Sequence, residues 1–593
     1  MGSSEPARRE FFATRTVPTI IDEWIEKPTN MTNTNTQEDL QGRIAELEAE
    51  ISLLKQQKKY GLVWEDKPED VVVQCETHVP VLSEVKSKKI SDQTKFEENI
   101  LIEGDNYHAL SVLNYTHRKS LDLIYIDPPY NTGARDWKYN NDYVDSDDAF
   151  RHSKWLSLMS RRLLLARSLL KDNGSLIVAI DDYELATLGL LLKQVLPHYV
   201  QDLIIIEHHP QGAGSNTVSR THEYAYLMTP PGQGIPNRPR REERQTWSLR
   251  RSGQGENNWR AYRPNQFFAI LVNEKTKQVV GVDKKLSKND KYELSDTKEG
   301  YKRIYPIDGS GGERAWRYSF ESMQRLIDQG KVEYTDRGAL AIVKDVVSAV
   351  PVSSIWTGSK YNAGSHGSQL LTKIFGKSAA FPYPKSFYNT YDLVNLFVGN
   401  NQNAKVLDFF AGSGTTGHAV LELNKQDGGN RQFILCTNNE NKIAEEVTYP
   451  RVKKVIKGYG DVAGLGGSLR YYKTKLVDVE KLQKVPDEKR LSLTYQAGEM
   501  IALRENTFDE TEKNDWWQTF SSQTKTVAIY FQEDKQKLRE LVAKLSDQEQ
   551  VVLYVFSWSK NEYTNEFSEY TNIRVEDIPE PIIEVYKEIN RLK

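Results

Sequence analysis

The sequence predicts an α/β protein: a mostly parallel sheet with helices on both faces, split by an inserted domain and followed by a C-terminal α+β module. Three observations predict it. Apolar runs of strand length alternate with helical patterns from about residue 100 to 230, and again from about 390 to 440. Such alternation is the signature of strand–helix units in a parallel sheet. Between the two blocks lie about 150 residues without that alternation. After about residue 475 the pattern changes again, to mixed helix and strand.

Each element follows in order. Residues 1–35 form a flexible N-terminus, Thr/Asn-rich toward its end, with Met31 an alternative start to Met1. Over 36–60, Leu40, Ile44, Leu47, Ile51 and Leu54 recur at alternating spacings of four and three. This is a heptad stripe on one helix. About three heptads are marginal alone, so the helix pairs with a second copy or packs on its own domain. Residues 61–230 hold the first half of the sheet domain, opening with a connector over 61–100. Strands are expected at Ile100–Glu103, Leu121–Ile126, Ser175–Ile180 and Leu203–Glu207, and helices at Tyr107–Tyr115, Lys154–Leu170 and Tyr183–Leu196. The alternation stops at Pro230-Pro231, and 231–370 is the insert. Residues 371–474 complete the sheet domain with a helix around Tyr391–Phe397, the strand Lys405–Phe409, the helix Thr415–Leu423 and the strand Gln432–Cys436. Residues 475–593 are the C-terminal module.

The 593 residues are 38% hydrophobic and 27% charged, an ordinary globular composition. No apolar run approaches the 18 or so residues of a membrane span, and the N-terminus lacks the apolar core of a secretory signal. Two cysteines, Cys75 and Cys436, exclude a disulfide framework or a Cys-rich zinc site. The expected location is the cytoplasm.

A net charge of −3 argues at first against a nucleic-acid partner. Resolved along the chain it does not: residues 231–385 hold 27 Lys+Arg and 16 Asp+Glu, net +11, and the remainder holds −14. The densest basic stretch carries Arg238, Arg240, Arg241, Arg244, Arg250, Arg251, Arg260 and Arg263, interleaved with Trp247, Trp259 and Tyr262. Guanidinium groups grip phosphates and guanine edges, and aromatic rings stack on bases. These eight arginines are the candidate DNA surface. Residues 471–593 hold 18 basic and 23 acidic residues, which suits subunit contacts better.

Two motifs carry chemistry. Asp408-Phe409-Phe410-Ala411-Gly412-Ser413-Gly414-Thr415-Thr416-Gly417 joins an expected strand to an expected helix. Its glycines let the backbone approach a ligand, and a helix N-terminus favours an anionic group. There is no P-loop lysine, so ATP is disfavoured. Asp408 for an ammonium and the helix start for a carboxylate suit the amino-acid tail of S-adenosylmethionine better than a pyrophosphate. The second motif, Asp127-Pro128-Pro129-Tyr130, directly follows an apolar strand. The two prolines remove two N–H donors, leaving acceptors: the Asp127 carboxylate and the Pro128 carbonyl. Such a pair can hold both hydrogens of an exocyclic amine while Tyr130 stacks the base. It favours the more positive nitrogen that develops during attack on a sulfonium methyl.

With these motifs the sequence resembles the N6-adenine and N4-cytosine DNA methyltransferases. The order, tetrapeptide first and Phe410-Ala411-Gly412-Ser413-Gly414 after a large insert, resembles the β class, a circular permutation whose insert is the target-recognition domain. Further stretches are similar to modification (Mod) subunits of Type III restriction-modification systems: the heptad helix with Tyr60-Gly61-Leu62-Val63-Trp64-Glu65, Gly104-Asp105-Asn106, Asn131-Thr132-Gly133, His152-Ser153-Lys154-Trp155, Phe381-Pro382-Tyr383-Pro384-Lys385-Ser386, and Phe433 to Glu440. The resemblance covers roughly 37 to 475. It implies a circularly permuted, Rossmann-like S-adenosylmethionine-dependent fold and a catalytic Asp127, Pro128, Pro129 and Tyr130. It also implies a cofactor site of Asp105, Lys385, Ser386, Asp408, Phe410, Gly412, Ser413, Gly414, Thr415, Asn438 and Glu440. Within that site Lys385 and Ser386 would take the carboxylate, Asp408 the methionine part and Asp105 the neighbourhood of the adenine. The ribose falls to one of Thr437, Asn438, Asn439 or Glu440. Implied partners are double-stranded DNA, a second copy, and a separate restriction subunit with ATPase and nuclease activity.

Alternatives fare less well. C5-cytosine chemistry needs a nucleophilic cysteine, usually after proline, and neither cysteine follows one. A dehydrogenase explains the glycine turn but not the tetrapeptide. N4-cytosine methylation shares the tetrapeptide's logic, and a non-catalytic recognition subunit would keep both motifs only as relics. His208-His209 and the nearby His222-Glu223 could be metal ligands, but adjacent histidines in a strand point to opposite faces, and no metal site is expected. The expected function is site-specific methylation of N6 on a flipped adenine.

Overall fold

A ten-stranded sheet organises the protein. The computed structural model describes residues 62–591 except 92–97, 141, 213–217, 238–243, 298, 346–349, 378–380, 382–383, 559–562 and 564–565. The heptad helix over 36–60 lies outside the described residues. In chain order the strands are β1 (His78–Glu84), β2 (Ile100–Glu103), β3 (Leu121–Ile126), β4 (Leu170–Ile180), β5 (Val200–Glu207), β6 (His222–Thr229), β7 (Ile355–Trp356), β8 (Lys405–Asp408), β9 (Gln432–Thr437) and β10 (Arg470–Asp478). In space they run β1-β10-β2-β9-β8-β3-β4-β6-β5-β7. From β10 to β4 all neighbours are parallel. β6 is antiparallel to both β4 and β5, and β1 is antiparallel to β10.

The central strands are almost continuously buried, as LDLIYI and QFILCT require, because helices cover both faces of a parallel sheet. The helices are α1 (Asn106–Thr116), α2 (Arg151–Leu169), α3 (Leu185–Val195), α4 (Phe387–Val398), α5 (Thr415–Asp427) and α6 (Tyr449–Lys457). Leu393, Phe397, Val420 and Val452 from α4, α5 and α6 meet Leu123, Val406 and Leu435 of the sheet in one core.

Three features depart from the sequence reading. The connector over 61–100 contains β1, whose Pro80 masks it as a loop; the strand lies at the sheet edge, where proline is tolerated. β6 was also missed, because Pro230 and the polar residues before it obscured the run. The insert hands the chain back to the main sheet at β7, earlier than the boundary expected at 370.

Within the insert, Arg244–Ser248 pairs with Leu340–Asp345, which pairs with Val332–Tyr334. A second sheet joins Val279–Val282, Ile270–Val272 and Lys302–Ile304. Leu249, Phe268, Ile270, Trp316, Met323 and Ile342 give the insert its own core. The C-terminal module is a five-stranded sheet of Asp509–Lys513, Trp517–Ser521, Thr526–Tyr530, Val551–Phe556 and Ile573–Ile578. It docks on the first half: Tyr586 donates to the Pro80 carbonyl at 2.5 Å and Arg118 pairs with Glu588 at 2.7 Å.

Arg470 of β10 ties these parts. Its buried guanidinium contacts Glu84 at 2.9 Å, Glu98 at 3.1 Å and Asp509 at 2.7 Å. Removing one partner of a buried ion pair strands the other. Arg470→Ala should therefore cost about 3–5 kcal/mol of stability, read by urea denaturation.

Candidate active site

β3 and β8 are parallel neighbours, with Leu123 opposite Val406 and Ile124 opposite Leu407. Adjacent strands lie about 4.8 Å apart. The turn after β3, Asp127–Tyr130, therefore emerges beside the turn after β8, Phe409–Gly414, although some 280 residues separate them in sequence. Both turns sit at the carboxyl ends of parallel strands, where open α/β sheets bind ligands. β9 and β2 continue the same edge and present Asn438 and Asp105.

The tetrapeptide is fixed from behind. Trp155 of α2 donates its indole N–H to the Pro129 carbonyl at 2.7 Å. Asn131, fully buried at φ +58°, accepts from the Trp137 indole at 3.1 Å and donates to Glu184. Glu184 is held in turn by His152 at 2.6 Å. Among the described residues nothing donates to the Pro128 carbonyl. Asp127 Oδ1 is buried and ion-paired with Lys385 Nζ at 3.3 Å, without an aligned hydrogen bond among the described residues. Burial raises the Asp127 carboxyl above its ordinary value, and the Lys385 charge opposes the rise. The buried Nδ1 of His208, a residue whose charge also acts on Asp127, has no hydrogen-bond partner.

Lys385 differs from expectation. Its ammonium lies 4.4 Å from the Tyr130 ring centroid and contacts both the Tyr130 hydroxyl and Glu223. It thus belongs to the tetrapeptide's pocket rather than to the glycine turn, because a buried ammonium must sit where the anions are. Glu223 of β6 is 2% exposed; it accepts from the Tyr130 hydroxyl at 3.1 Å and also from Asn389 of α4. Burial and the charges of Asp127 and Asp181 push the Glu223 carboxyl up, and burial pushes the Lys385 ammonium down. The Asn389 hydrogen bond opposes the first trend and the Asp127 carboxylate the second. Ser386 leads into α4 and donates to the Lys360 carbonyl at 2.8 Å, so its hydroxyl anchors the helix.

The glycine turn is built for shape. Gly412 and Gly414 have φ of +48° and +79°, a region side chains avoid. A Cβ at Gly414 would come within 3.2 Å of Thr448, and one at Gly412 within 3.3 Å of the Phe381 ring. Three expected cofactor contacts are turned inward. Asp408 is buried and accepts from the Phe410 N–H at 3.0 Å and the Thr416 hydroxyl at 2.5 Å, fastening the turn. Ser413 and Thr415 each accept from one guanidinium nitrogen of the buried Arg451 of α6 at 2.8 Å, so the hydroxyls face the protein interior. Burial pulls Arg451 down to about 10. Phe410, Gly412, Asp105, Asn438 and Glu440 remain along the open edge. Asp105 caps α1 through the Tyr107 N–H at 2.7 Å and lies 3.5 Å from the buried Arg162. Lys138, on the hairpin after the tetrapeptide, reaches within 3.9 Å of Glu440.

Of the expected DNA-contacting arginines, Arg238, Arg240 and Arg241 lie outside the described residues, and Arg244 begins an insert strand. Arg250, Arg251 and Arg263 are partly exposed. Arg260 is a correction: only 5% exposed, it pairs with Glu313 at 3.1 Å, donates to the Ser287 and Asp290 carbonyls and lies over Phe267. It frames the insert. Trp259 likewise lies under Arg314, at 3.5 Å. Trp247 and Tyr262 are exposed. Cys75 and Cys436 are both buried, and burial raises both thiols.

Sequence reasoning missed Arg451 and Glu184, and weighed Glu223 only as a metal ligand beside His222. Each is a charged residue within or beside an apolar element, and that anomaly was the available signal.

The sheet and its paired turns are those of an amino-methyltransferase. A family model described as "DNA methylase" matches residues 121–448. The Type II methyltransferase M.KpnI of Klebsiella pneumoniae is 30% identical over 380 residues, covering 61% of this chain and 85% of that protein. The Type III restriction-modification enzyme EcoPI Mod subunit of Escherichia phage P1 is 29% identical, covering 69% of this chain and 70% of its own. Among solved structures, the M1.HpyAVI–SAM complex aligns with 60% of this chain and 98% of its own at 14% identity and a TM-score of 0.27. The chain belongs to the DNA methylase family.

Burial raises Asp408 from 3.8 to about 7. A carboxyl with a raised folded-state pKa binds a proton in the fold that the unfolded chain has lost, so stability falls as pH rises between about 4 and 7. Asp408→Asn should flatten that slope. Thermal melts from pH 5 to 8 check it; parallel slopes for both proteins would refute the assignment.

Proposed function

We propose that this protein is a site-specific DNA methyltransferase acting on N6 of a flipped adenine, working in the cytoplasm as the modification subunit of a Type III restriction-modification system. The observation that carries the reading is the placement of two acceptors, the Asp127 carboxylate and the Pro128 carbonyl, on the strand end beside the glycine turn, with Asp127 Oδ1 lacking an aligned hydrogen bond among the described residues. Relatives named as Mod subunits of Type III restriction-modification enzymes support the Type III assignment and a restriction subunit as partner.

The residues present fit S-adenosyl-L-methionine. A Cβ at Gly412 would fill the space toward Phe381, beside Phe410, so glycine keeps that room open. Phe410, Gly412, Asp105, Asn438 and Glu440 would hold the cofactor. When bound, it supplies an electrophilic methyl group on a sulfonium sulfur. The rest falls to the chain. Extrusion of the base costs a few kcal/mol, and stacking on Tyr130 offsets about 1–3 kcal/mol. Asp127 Oδ1 and the Pro128 carbonyl accept the two amine hydrogens. That orients the nitrogen lone pair and favours its growing positive charge in a water-poor pocket. Asp127, made more basic by burial, takes the proton that the amine gives up. Arg250, Arg251 and Arg263 of the insert meet phosphates or guanine edges, with Trp247 and Tyr262 beside them.

Tritium transfer from labelled S-adenosyl-L-methionine to adenine-containing DNA tests the reading. Asp127→Ala should lose transfer at least 100-fold while DNA affinity stays within about twofold. Wild-type protein that labels no DNA would end it, and mapping the labelled base separates N6-adenine from N4-cytosine.

Replacing Arg250, Arg251 and Arg263 together by Ala should flatten the log K versus log salt slope of DNA binding by about 2–3. An unchanged slope would place DNA elsewhere.

A further inference from the structure

The methyl-transfer reading uses Asp127, Pro128 and Tyr130 and leaves Glu223 and Lys385 without a task. Glu223 enters from β6, three strands from the glycine turn's strand, in a segment, HEYAYLMT, that is otherwise apolar or aromatic toward the core. A buried carboxylate there is costly unless it is fully bonded. It is bonded by three donors: Asn389 on Oε1, and the Tyr130 hydroxyl and Lys385 on Oε2. Two of those three belong to the pocket of the target base.

The charges show what this arrangement does. Lys385 is the single ammonium between two carboxylates, in contact with Glu223 and 3.3 Å from Asp127 Oδ1. It donates to Glu223 and to Tyr130, yet Asp127 Oδ1 has no aligned hydrogen bond among the described residues. With Glu223 absent, the nearest anion for that ammonium is Asp127. An acceptor already holding a lysine N–H is a poor acceptor for a substrate amine, and its electrostatic value to a developing positive nitrogen is cancelled.

We propose that Glu223 is a positioning residue of the target-base pocket: it anchors the Tyr130 hydroxyl and shares the Lys385 ammonium with Asp127, so that Lys385 stays in ion-pair range of Asp127 Oδ1 without an aligned hydrogen bond to it and that oxygen can still accept the substrate's exocyclic amine. The inference rests on the methyl-transfer reading above. It places Lys385 on the base side of the cleft, so Lys385 is not required for cofactor binding.

Glu223→Gln keeps the size and a carbonyl that accepts from Tyr130, and it removes the charge. Single-turnover methyl transfer should slow at least 30-fold, with the Kd for DNA and for S-adenosyl-L-methionine within about twofold of wild type. Lys385→Met added to Glu223→Gln should then recover at least tenfold of the lost rate, because no cation remains to occupy Asp127. A residue that mattered only for packing would give no such recovery. Wild-type rates in Glu223→Gln, or a double variant no faster than it, would overturn the proposal. Lys385→Met alone, read by equilibrium dialysis with S-adenosyl-L-methionine, gives a second measurement that needs neither turnover nor a folded Glu223 variant. Cofactor affinity within twofold supports the placement, and a tenfold loss overturns it. Because dialysis does not involve DNA, failure here is distinct from a wild-type protein that methylates no DNA, which would overturn the function itself.

Discussion

The parallel pairing of β3 with β8 is the constraint on which the rest depends. Neither motif has chemistry alone: one is a turn of acceptors, the other a turn of glycines. Register places Ile124 against Leu407, and the turns then leave the same sheet edge one strand spacing apart. The insert between them must depart from and return to the sheet without disturbing that pair. It does so at the far side: β6 and β5 precede it, and β7 rejoins against β5. A chain excursion of over a hundred residues is therefore accommodated by an outer strand, and the catalytic strands keep their register.

A second layer follows from placing polar groups at that edge. Each turn is backed by a buried charge that the fold must satisfy. Arg451 is engaged by Ser413 and Thr415, Asp408 by Thr416 and the Phe410 N–H, and Glu184 by Asn131 and His152. These bonds make the turns rigid, since breaking any of them leaves a desolvated group. Preorganisation of this kind is what electrostatic catalysis requires, because donors and acceptors already in place need no rearrangement as charge develops.

The sequence made the strand-and-helix order of the sheet legible, from Ile100 to Cys436, because parallel strands buried on both faces read as unbroken apolar runs. The tetrapeptide and the glycine turn were legible for the same reason: each follows such a run directly. What escaped was nonlocal. β1 carries a proline that only its edge position excuses. Arg260 belonged to a basic run, and nothing in its neighbours says that Glu313, more than fifty residues on, would bury it. Lys385 and Ser386 were assigned together because they are adjacent, yet consecutive residues at a helix start diverge. One reaches Glu223 and the other Lys360.

The insert's charge shows how far such pairing can go. Arg260 with Glu313, Arg303 with Asp283 and Arg314 with Asp308 each remove one positive and one negative charge. Pairing therefore leaves the surplus of +11 over 231–385 unchanged and only concentrates it on fewer residues. Arg251 shows the result: burial and the nearby charges of Arg263 and Arg317 hold its guanidinium below the ordinary value. Arg317 is a member that the basic run did not contain. It arrives because the segments around Arg250 and Trp316 are bridged in antiparallel fashion, putting Arg251 and Arg317 on one side of that ribbon. Like charges gathered this way destabilise a free domain and are relieved by an anion. A polyanion whose phosphates are spaced along a groove relieves several at once, releasing counterions as it does so. Arg251, Arg263 and Arg317 are thus brought together by the insert's own fold.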